Sequence, residues 1–237
     1  MSNEQEKYWA ANNEYHRRSP GNVGANIKLF RAALACAEIG DETKIVELGC
    51  GTGANLKALN HLWSKNGRLG KKVSLTGVEI NSEAIKQIPS HVRVVQESVL
   101  DWEPDDAFDI VITKGLLIHI APDDLGKVYE TIIKASKRYI LVCEYFCPTP
   151  RMIPYRGEDD KLWARDFGGE LIDQYGLTLV NYGFVSPRDT YPQDDLTWML
   201  LEKRQAIPMT YCERCERSVV GRIDQGDLLC PNCSLVL

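Results

Sequence analysis

The chain has no apolar run of eighteen residues, and its first residues, Met1 to Lys7, are polar. A membrane-spanning helix and a secretory signal are therefore not expected, and the cytoplasm is the default location. Positive charge is not in excess either. The formal net charge is −5, which removes the electrostatic case for nucleic acid as a partner. Neither an internal repeat nor a low-complexity segment is present. What remains is ordinary globular material: 237 residues, 44% apolar and 26% charged. That length holds one large domain with a small appendage.

The most informative stretch is Lys44 to Leu56. An apolar run of strand length carries an acidic residue, Glu47. Glycines follow at alternate positions, Gly49, Gly51 and Gly53, and a helical pattern begins at Asn55. Such a strand–turn–helix opens nucleotide-binding α/β units. The glycines let the backbone turn tightly and a ligand lie against it. The helix start presents unpaired N–H groups. Gly49-x-Gly51-x-x-Ala54 also satisfies a dinucleotide fingerprint, so glycine spacing alone leaves a dehydrogenase open, and a loop without ligand as well. Two carboxylates favour another ligand. Glu47 would repel a pyrophosphate but could hold an ammonium group. Glu79, closing a second strand from Val73, could accept both hydroxyls of a ribose.

Glu47-x-Gly49-x-Gly51-x-Gly53 resembles motif I of class I S-adenosylmethionine-dependent methyltransferases. The resemblance implies a Rossmann-like α/β fold with a seven-stranded sheet of order 3-2-1-4-5-7-6, helices on both faces and the seventh strand reversed. It implies S-adenosylmethionine as cofactor, with contacts from Trp9, Asn26, Glu47, Gly49, Cys50, Gly51, Gly53, Asn55, Glu79, Ile80, Ser98, Val99, Lys114 and Gly115. Ser98 stands where many such enzymes place an aspartate against the adenine amino group. Its hydroxyl and the Val99 backbone would serve instead, and Asp101 could be structural.

Three segments frame this core: an N-terminal helical cap over 1–43, the cofactor-binding domain over 44–204 and a tail over 209–237. In the cap, Gln5 to Tyr15 and Asn26 to Ile39 carry helical patterns. Tyr8 and Trp9 could face a partner, or Trp9 could pack on the core. His16-Arg17-Arg18 reads as a solvated turn or a contact for an anionic acceptor. The segment 147–169 is a polar insertion whose prolines forbid a simple helix at its start. Insertions of this length are commonly functional.

A narrower resemblance rests on motifs found in order. They are Val78-Glu79-Ile80-Asn81, Lys114 to Ile120, Glu144-Tyr145-Phe146-x-Pro148-Thr149-Pro150, Tyr155-Arg156-Gly157, Arg165-Asp166-Phe167 and Asp194 to Trp198. Together they are similar to methylases associated with pseudaminic acid biosynthesis, across residues 5–203. This implies a small acceptor, sugar-linked or anionic, such as a nucleotide sugar or glycan precursor for surface polysaccharide. Candidate substrate residues are Glu144, Tyr145, Tyr155, Arg156, Arg165 and Asp166. The arginines could pair bidentately with an anion, or with Asp159, Asp160 or Asp166. His119 is the candidate general base, since it follows the fourth strand and an imidazole can titrate near neutrality. It could equally be a hydrogen-bonded structural residue.

Eight cysteines divide into two groups. Cys36, Cys50, Cys143 and Cys147 are scattered and read as buried small apolar residues. Cys212, Cys215, Cys230 and Cys233 follow C-x2-C-x14-C-x2-C, two knuckles that can close a tetrahedral zinc site, a ribbon. A redox dithiol pair is the rival. Four thiolates leave no open position, so the zinc would be structural, and the ribbon would suit protein contact or dimerisation. Gln205 to Pro208 is the expected joint. RNA or protein methylation with the ribbon as docking module, and a non-catalytic scaffold, stand as alternatives.

Overall fold

A computed structural model describes residues 3–13, 21–63, 72–190, 194–203, 209–220, 222–224, 227–230 and 232–236. His16-Arg17-Arg18 and the expected joint at 205–208 lie outside them. The chain forms two compact units, residues 1–203 and 204–237.

Among the described residues of the first unit, α1 (Asn3–Ala11) and α2 (Val23–Ala33) precede the sheet. Then come β1 (Lys44–Leu48), α3 (Ala54–Trp63), β2 (Ser74–Glu79), α4 (Ser82–Ile85), β3 (Arg93–Gln96) and β4 (Phe108–Lys114). They are followed by α5 (Leu125–Ala135), β5 (Ser136–Glu144), a small hairpin of β6 (Arg151–Met152) and β7 (Trp163–Ala164), α6 (Phe167–Tyr175), β8 (Thr178–Phe184) and β9 (Thr197–Glu202). Seven strands make one sheet in the order β3-β2-β1-β4-β5-β9-β8. The first five run parallel, and β9 is antiparallel to both β5 and β8. This is the expected seven-stranded arrangement.

The central strands are apolar on both faces because helices cover both. Side chains alternate across the sheet with period two. Val46, Leu48, Val111, Ile140 and Val142 pack with α5 and α6 through Leu125, Val128, Ile132 and Leu171. Ile45, Ile110, Ile112, Leu141 and Cys143 pack with α2 and α3 through Leu29, Phe30, Leu56 and Leu59. Strand order reverses between β1 and β4. That reversal opens a crevice past the carboxyl ends of the strands.

Several expectations shift. The helix expected over Asn26 to Ile39 ends at Ala33, with a turn after it. Cys36 therefore lies outside the helix and is exposed, not buried. Cys147 is only half-buried. The insertion is organised by β6 and β7, with Ile153 N donating to Leu162 O at 2.9 Å. No helix among the described residues is long and apolar enough to cross a membrane.

The second unit holds two hairpins, β10 (Met209–Cys212) with β11 (Arg217–Val220) and β12 (Arg222–Asp224) with β13 (Asp227–Leu229). A cysteine knuckle lies in the turn after β10 and another follows β13.

Candidate active site

The crevice at the β1–β4 reversal contains a cavity of about 840 Å³. Its floor is the glycine turn between β1 and α3. Gly49, Gly51 and Gly53 all take positive φ, at 66°, 52° and 74°, where a side chain is strained. A Cβ on Gly49 would also lie 2.7 Å from Leu116 Cδ1. Glycine at 49 is thus required both by its backbone angle and by the close approach of Leu116.

At the end of β2, Glu79 is 6% exposed. Its Oε2 accepts from Gly51 N at 2.7 Å and its Oε1 from Asn81 N at 2.8 Å. Both oxygens keep a lone pair for further donors. Glu47 is fully buried on β1, and its Oε1 accepts from Asn55 Nδ2. Burial raises its pKa to about 8, against the Asn55 hydrogen bond and the nearby Lys114 charge. Glu47 Oε2, Asn55 Oδ1 and Asn26 Oδ1 are buried acceptors with no protein partner. Asn26 and Asn55 line the cavity, whereas Glu47 does not and lies behind Asn55. Such orphaned acceptors are costly unless a donor arrives. A primary ammonium group carries three donors. This set of acceptors thus fits the amino-acid end of S-adenosylmethionine, and Glu79 fits its ribose.

Trp9, Cys50, Ile80, Ser98, Val99, Lys114 and Gly115 line the same cavity. Gly53 is not among the lining residues; a Cβ there would meet Ile88 instead, at 3.2 Å. Ser98 Oγ donates to Glu6 Oε1, and it accepts from Leu100 N at 3.2 Å. Tyr8 and Trp9 are half-buried. The Trp9 ring lies 4.3 Å from His119, and Tyr155 lies 5.3 Å from His119.

His119 lines the cavity and is 9% exposed. Its Nδ1 lies 2.8 Å from Lys161 O. A carbonyl only accepts, so Nδ1 carries the hydrogen and Nε2 keeps its lone pair in the neutral ring. The expectation of titration near neutrality is corrected here. Burial lowers the pKa to about 4, against the Lys161 hydrogen bond and with the Arg156 charge contributing. The imidazole is neutral throughout the physiological range.

The candidate acceptor residues separate into two sets. Tyr145, Tyr155 and Arg156 line the cavity. Arg156 takes φ 54° in a tight turn, and its guanidinium lies 5.3 Å from the Tyr155 ring centre. Glu144, Arg165 and Asp166 do not line it. Glu144 is 2% exposed and accepts from Leu116 N at 3.1 Å and Ile118 N at 3.4 Å, which pins the segment that bears His119. Burial raises its pKa to about 7. Arg165 Nε donates to Glu170 Oε1 at 2.8 Å, not to an aspartate of the insertion. Asp166 caps α6, accepting from Gly169 N at 2.8 Å. Sequence reasoning missed Gln5, Glu6 and Asn22, which also line the cavity. No local pattern marks them.

Residues 45–138 match the family described as "Methyltransferase domain". Over 96 residues the chain is 28% identical to an uncharacterized protein of Rickettsia prowazekii, covering 40% of this chain and 38% of that one. The match thus takes in well under half of the relative's length. The methyltransferase fold extends further. A structure of an S-adenosylmethionine-dependent methyltransferase from Leishmania major superposes with TM-score 0.62 at 18% identity, covering 84% of this chain and 81% of that one. The 1,6-didemethyltoxoflavin-N1-methyltransferase of Burkholderia thailandensis, solved with its substrate and S-adenosylhomocysteine, gives 0.58 at 15% identity over 83% and 84%. The N-methyltransferase NodS of Bradyrhizobium japonicum, solved with S-adenosylhomocysteine, gives 0.57 at 14% identity over 84% and 97%.

In the second unit, the sulfurs of Cys212, Cys215, Cys230 and Cys233 all lie within 4.8 Å of one another. Cys212 Sγ is 3.6 Å from Cys233 Sγ, and Cys215 Sγ is 3.8 Å from Cys230 Sγ. Both distances are far longer than a disulfide. A tetrahedron with zinc–sulfur bonds of about 2.3 Å has edges of about 3.8 Å. The donor set therefore fits zinc.

Proposed function

We propose that the protein is an S-adenosylmethionine-dependent methyltransferase acting on a small, sugar-linked or anionic acceptor. The observation that carries this reading is the pair of carboxylates, Glu47 and Glu79, placed on either side of a glycine turn that leaves the backbone bare. Glu47, Asn55 and Asn26 would hold the ammonium end. Glu79, kept in place by the Gly51 amide, would hold the ribose. Ile80, Ser98 and Val99 would flank the adenine. When bound, the cofactor supplies a methyl group already activated by sulfonium.

The chain's own work is then mostly placement. Trp9, Tyr145 and Tyr155 wall the cavity and exclude water, which favours in-line approach of the acceptor. Arg156 would hold an anionic group of the acceptor. His119 Nε2 would take the proton of an acceptor hydroxyl or neutral amine as the acceptor's lone pair bonds to the methyl carbon. At a pKa of about 4 the ring is a weak base. Its part is to accept a proton that grows acidic as the new bond to carbon forms. Lys161 O holds the ring in the tautomer this requires.

For the tail, the proposal is one structural zinc on Cys212, Cys215, Cys230 and Cys233, serving a contact with another protein or a second copy. A unit this small has little core of its own, and metal binding would supply folding energy.

Calorimetric titration with S-adenosylmethionine tests the cofactor reading, and absence of binding would end it. An untargeted methyl-transfer screen against nucleotide sugars and glycan precursors tests the acceptor class. Transfer only to RNA or protein would overturn the small-molecule assignment.

A further inference from the structure

Asn81 is fully buried, two residues past Glu79, and its side chain caps two helices at once. Its Oδ1 accepts from Ala84 N at 2.9 Å, which starts α4. Its Nδ2 donates to Ala10 O at 2.9 Å and to Trp9 O at 3.3 Å, which closes the C-terminal end of α1. The last carbonyls of a helix have no partner within it, so α1 takes its terminal hydrogen bonds from another element. Its main-chain N–H meanwhile donates to Glu79 Oε1 at 2.8 Å.

The other ties of α1 run to the same region. Gln5 Nε2 donates to His119 O at 2.5 Å, and Glu6 Oε1 accepts from Ser98 Oγ. Asn81, Ser98 and His119 follow the carboxyl ends of β2, β3 and β4. A helix of nine residues is marginal by itself. These three loops, together with Tyr155 at 6.3 Å from the Trp9 ring centre and Lys161 Nζ at 5.5 Å from that of Tyr8, decide where it rests, and with it where Gln5, Glu6 and Trp9 enter the cavity lining.

We propose that Asn81 is a positioning residue, linking the carboxylate that holds the cofactor ribose to the helix that carries Trp9 over the site. The inference deepens the proposed function and rests on it for the identity of the ligand. Occupancy of Glu79 and seating of α1 become one coupled event through a single residue, with its main-chain N–H on Glu79 and its side-chain amide on α1.

Asn81→Ser separates the two roles, because serine still caps α4 but has no amide to donate to α1. Hydrogen–deuterium exchange of the full chain should show residues 3–13 exchanging roughly tenfold faster in the variant, from the loss of the Asn81 Nδ2 bonds to Trp9 O, Ala10 O and Asn13 Oδ1. Residues 84–88 should stay near the wild-type rate. With S-adenosylhomocysteine as probe, the wild type should gain protection in both 3–13 and 49–53. The variant should gain it in 49–53 only. Wild-type exchange in 3–13 of the variant, or equal ligand protection there, overturns the proposal. If the wild type does not bind the probe, the cofactor reading fails, while the exchange difference without ligand still decides the tie to α1. Should Asn81→Ser not fold, Asn81→Asp retains the cap and lacks the donor, with the same expectation.

Discussion

Glu79 Oε2 accepts the amide hydrogen of Gly51 at 2.7 Å, although the two residues are 28 apart in sequence. The bond joins the end of β2 to the glycine turn after β1. It aims a carboxylate across the turn's bare backbone before any ligand arrives. Replacing that carboxylate should therefore cost binding more than folding. Glu79→Gln should weaken S-adenosylmethionine binding roughly ten- to a hundredfold, since hydrogen bonds to a charged group are lost. Calorimetry reads the affinity, and a shift under threefold would misplace the ribose.

Gly49 and Gly115 make a matched pair, both with φ 66°. Alanine at Gly115 would meet nothing within 4 Å, whereas at Gly49 its Cβ would press on Leu116 Cδ1 at 2.7 Å. Gly115→Ala should cost about 1 kcal/mol of backbone strain. Gly49→Ala should cost more, about 2–4 kcal/mol, and lower cofactor affinity too. Chemical denaturation compares the two, and equal losses would remove the steric argument.

His119 predicts the acid limb of the pH–rate profile. Once an acceptor is known, turnover should hold down to about pH 4, where the ring protonates, with no inflection near 6.5. His119→Ala should reduce turnover about a hundredfold or more and leave cofactor affinity within a few-fold. Stability has the same sign. The folded pKa lies below the ordinary value of 6.5, so the folded state resists the charge. That contribution is complete above about 6.5 and is lost as pH falls through about 4.

Glu47 acts in the opposite direction. Its folded pKa of about 8 stands above the usual 4.5, so the folded state holds the proton. The stability it contributes is full below about 4.5 and is lost as pH rises through about 8. Thermal melts of the ligand-free protein should fall across that window, and Glu47→Gln should flatten the fall. Bound S-adenosylmethionine should flatten it as well, by placing a cation beside the carboxylate. An unchanged pH slope in the variant would contradict this account.

Metal analysis should find about one zinc per chain, from one four-thiolate site. Cys215→Ser or chelation should release it and raise amide exchange across 209–236. Exchange across β1 to β5 should not change. A full metal complement after loss of a cysteine ligand would argue against the site.

Much of the fold was legible because its signals are local. Apolar strands covered on both faces read as continuous runs, as in Ile110 to Ile112, and the glycine turn after Leu48 is legible because only glycine tolerates three positive φ angles so close together. The cysteine knuckles are legible for a related reason, since two ligands three residues apart suit one metal. Arg165 and Arg156 show where that legibility ends. Both lie in the same polar insertion and look alike in sequence. Only the packing of α6 gives Arg165 its partner in Glu170 and leaves Arg156 in the cavity wall.

By itself, then, the sequence determined the α/β class, the glycine turn that follows Glu47 and the four-cysteine cluster, because each is written in near neighbours and in local backbone geometry. The tertiary structure alone decided that His119 is a neutral ring against Trp9, that Glu144 pins a loop from within the core, and that Asn81 closes two helices. Those roles depend on burial and on partners from distant parts of the chain. Such partners meet only when the sheet has brought its strand ends together.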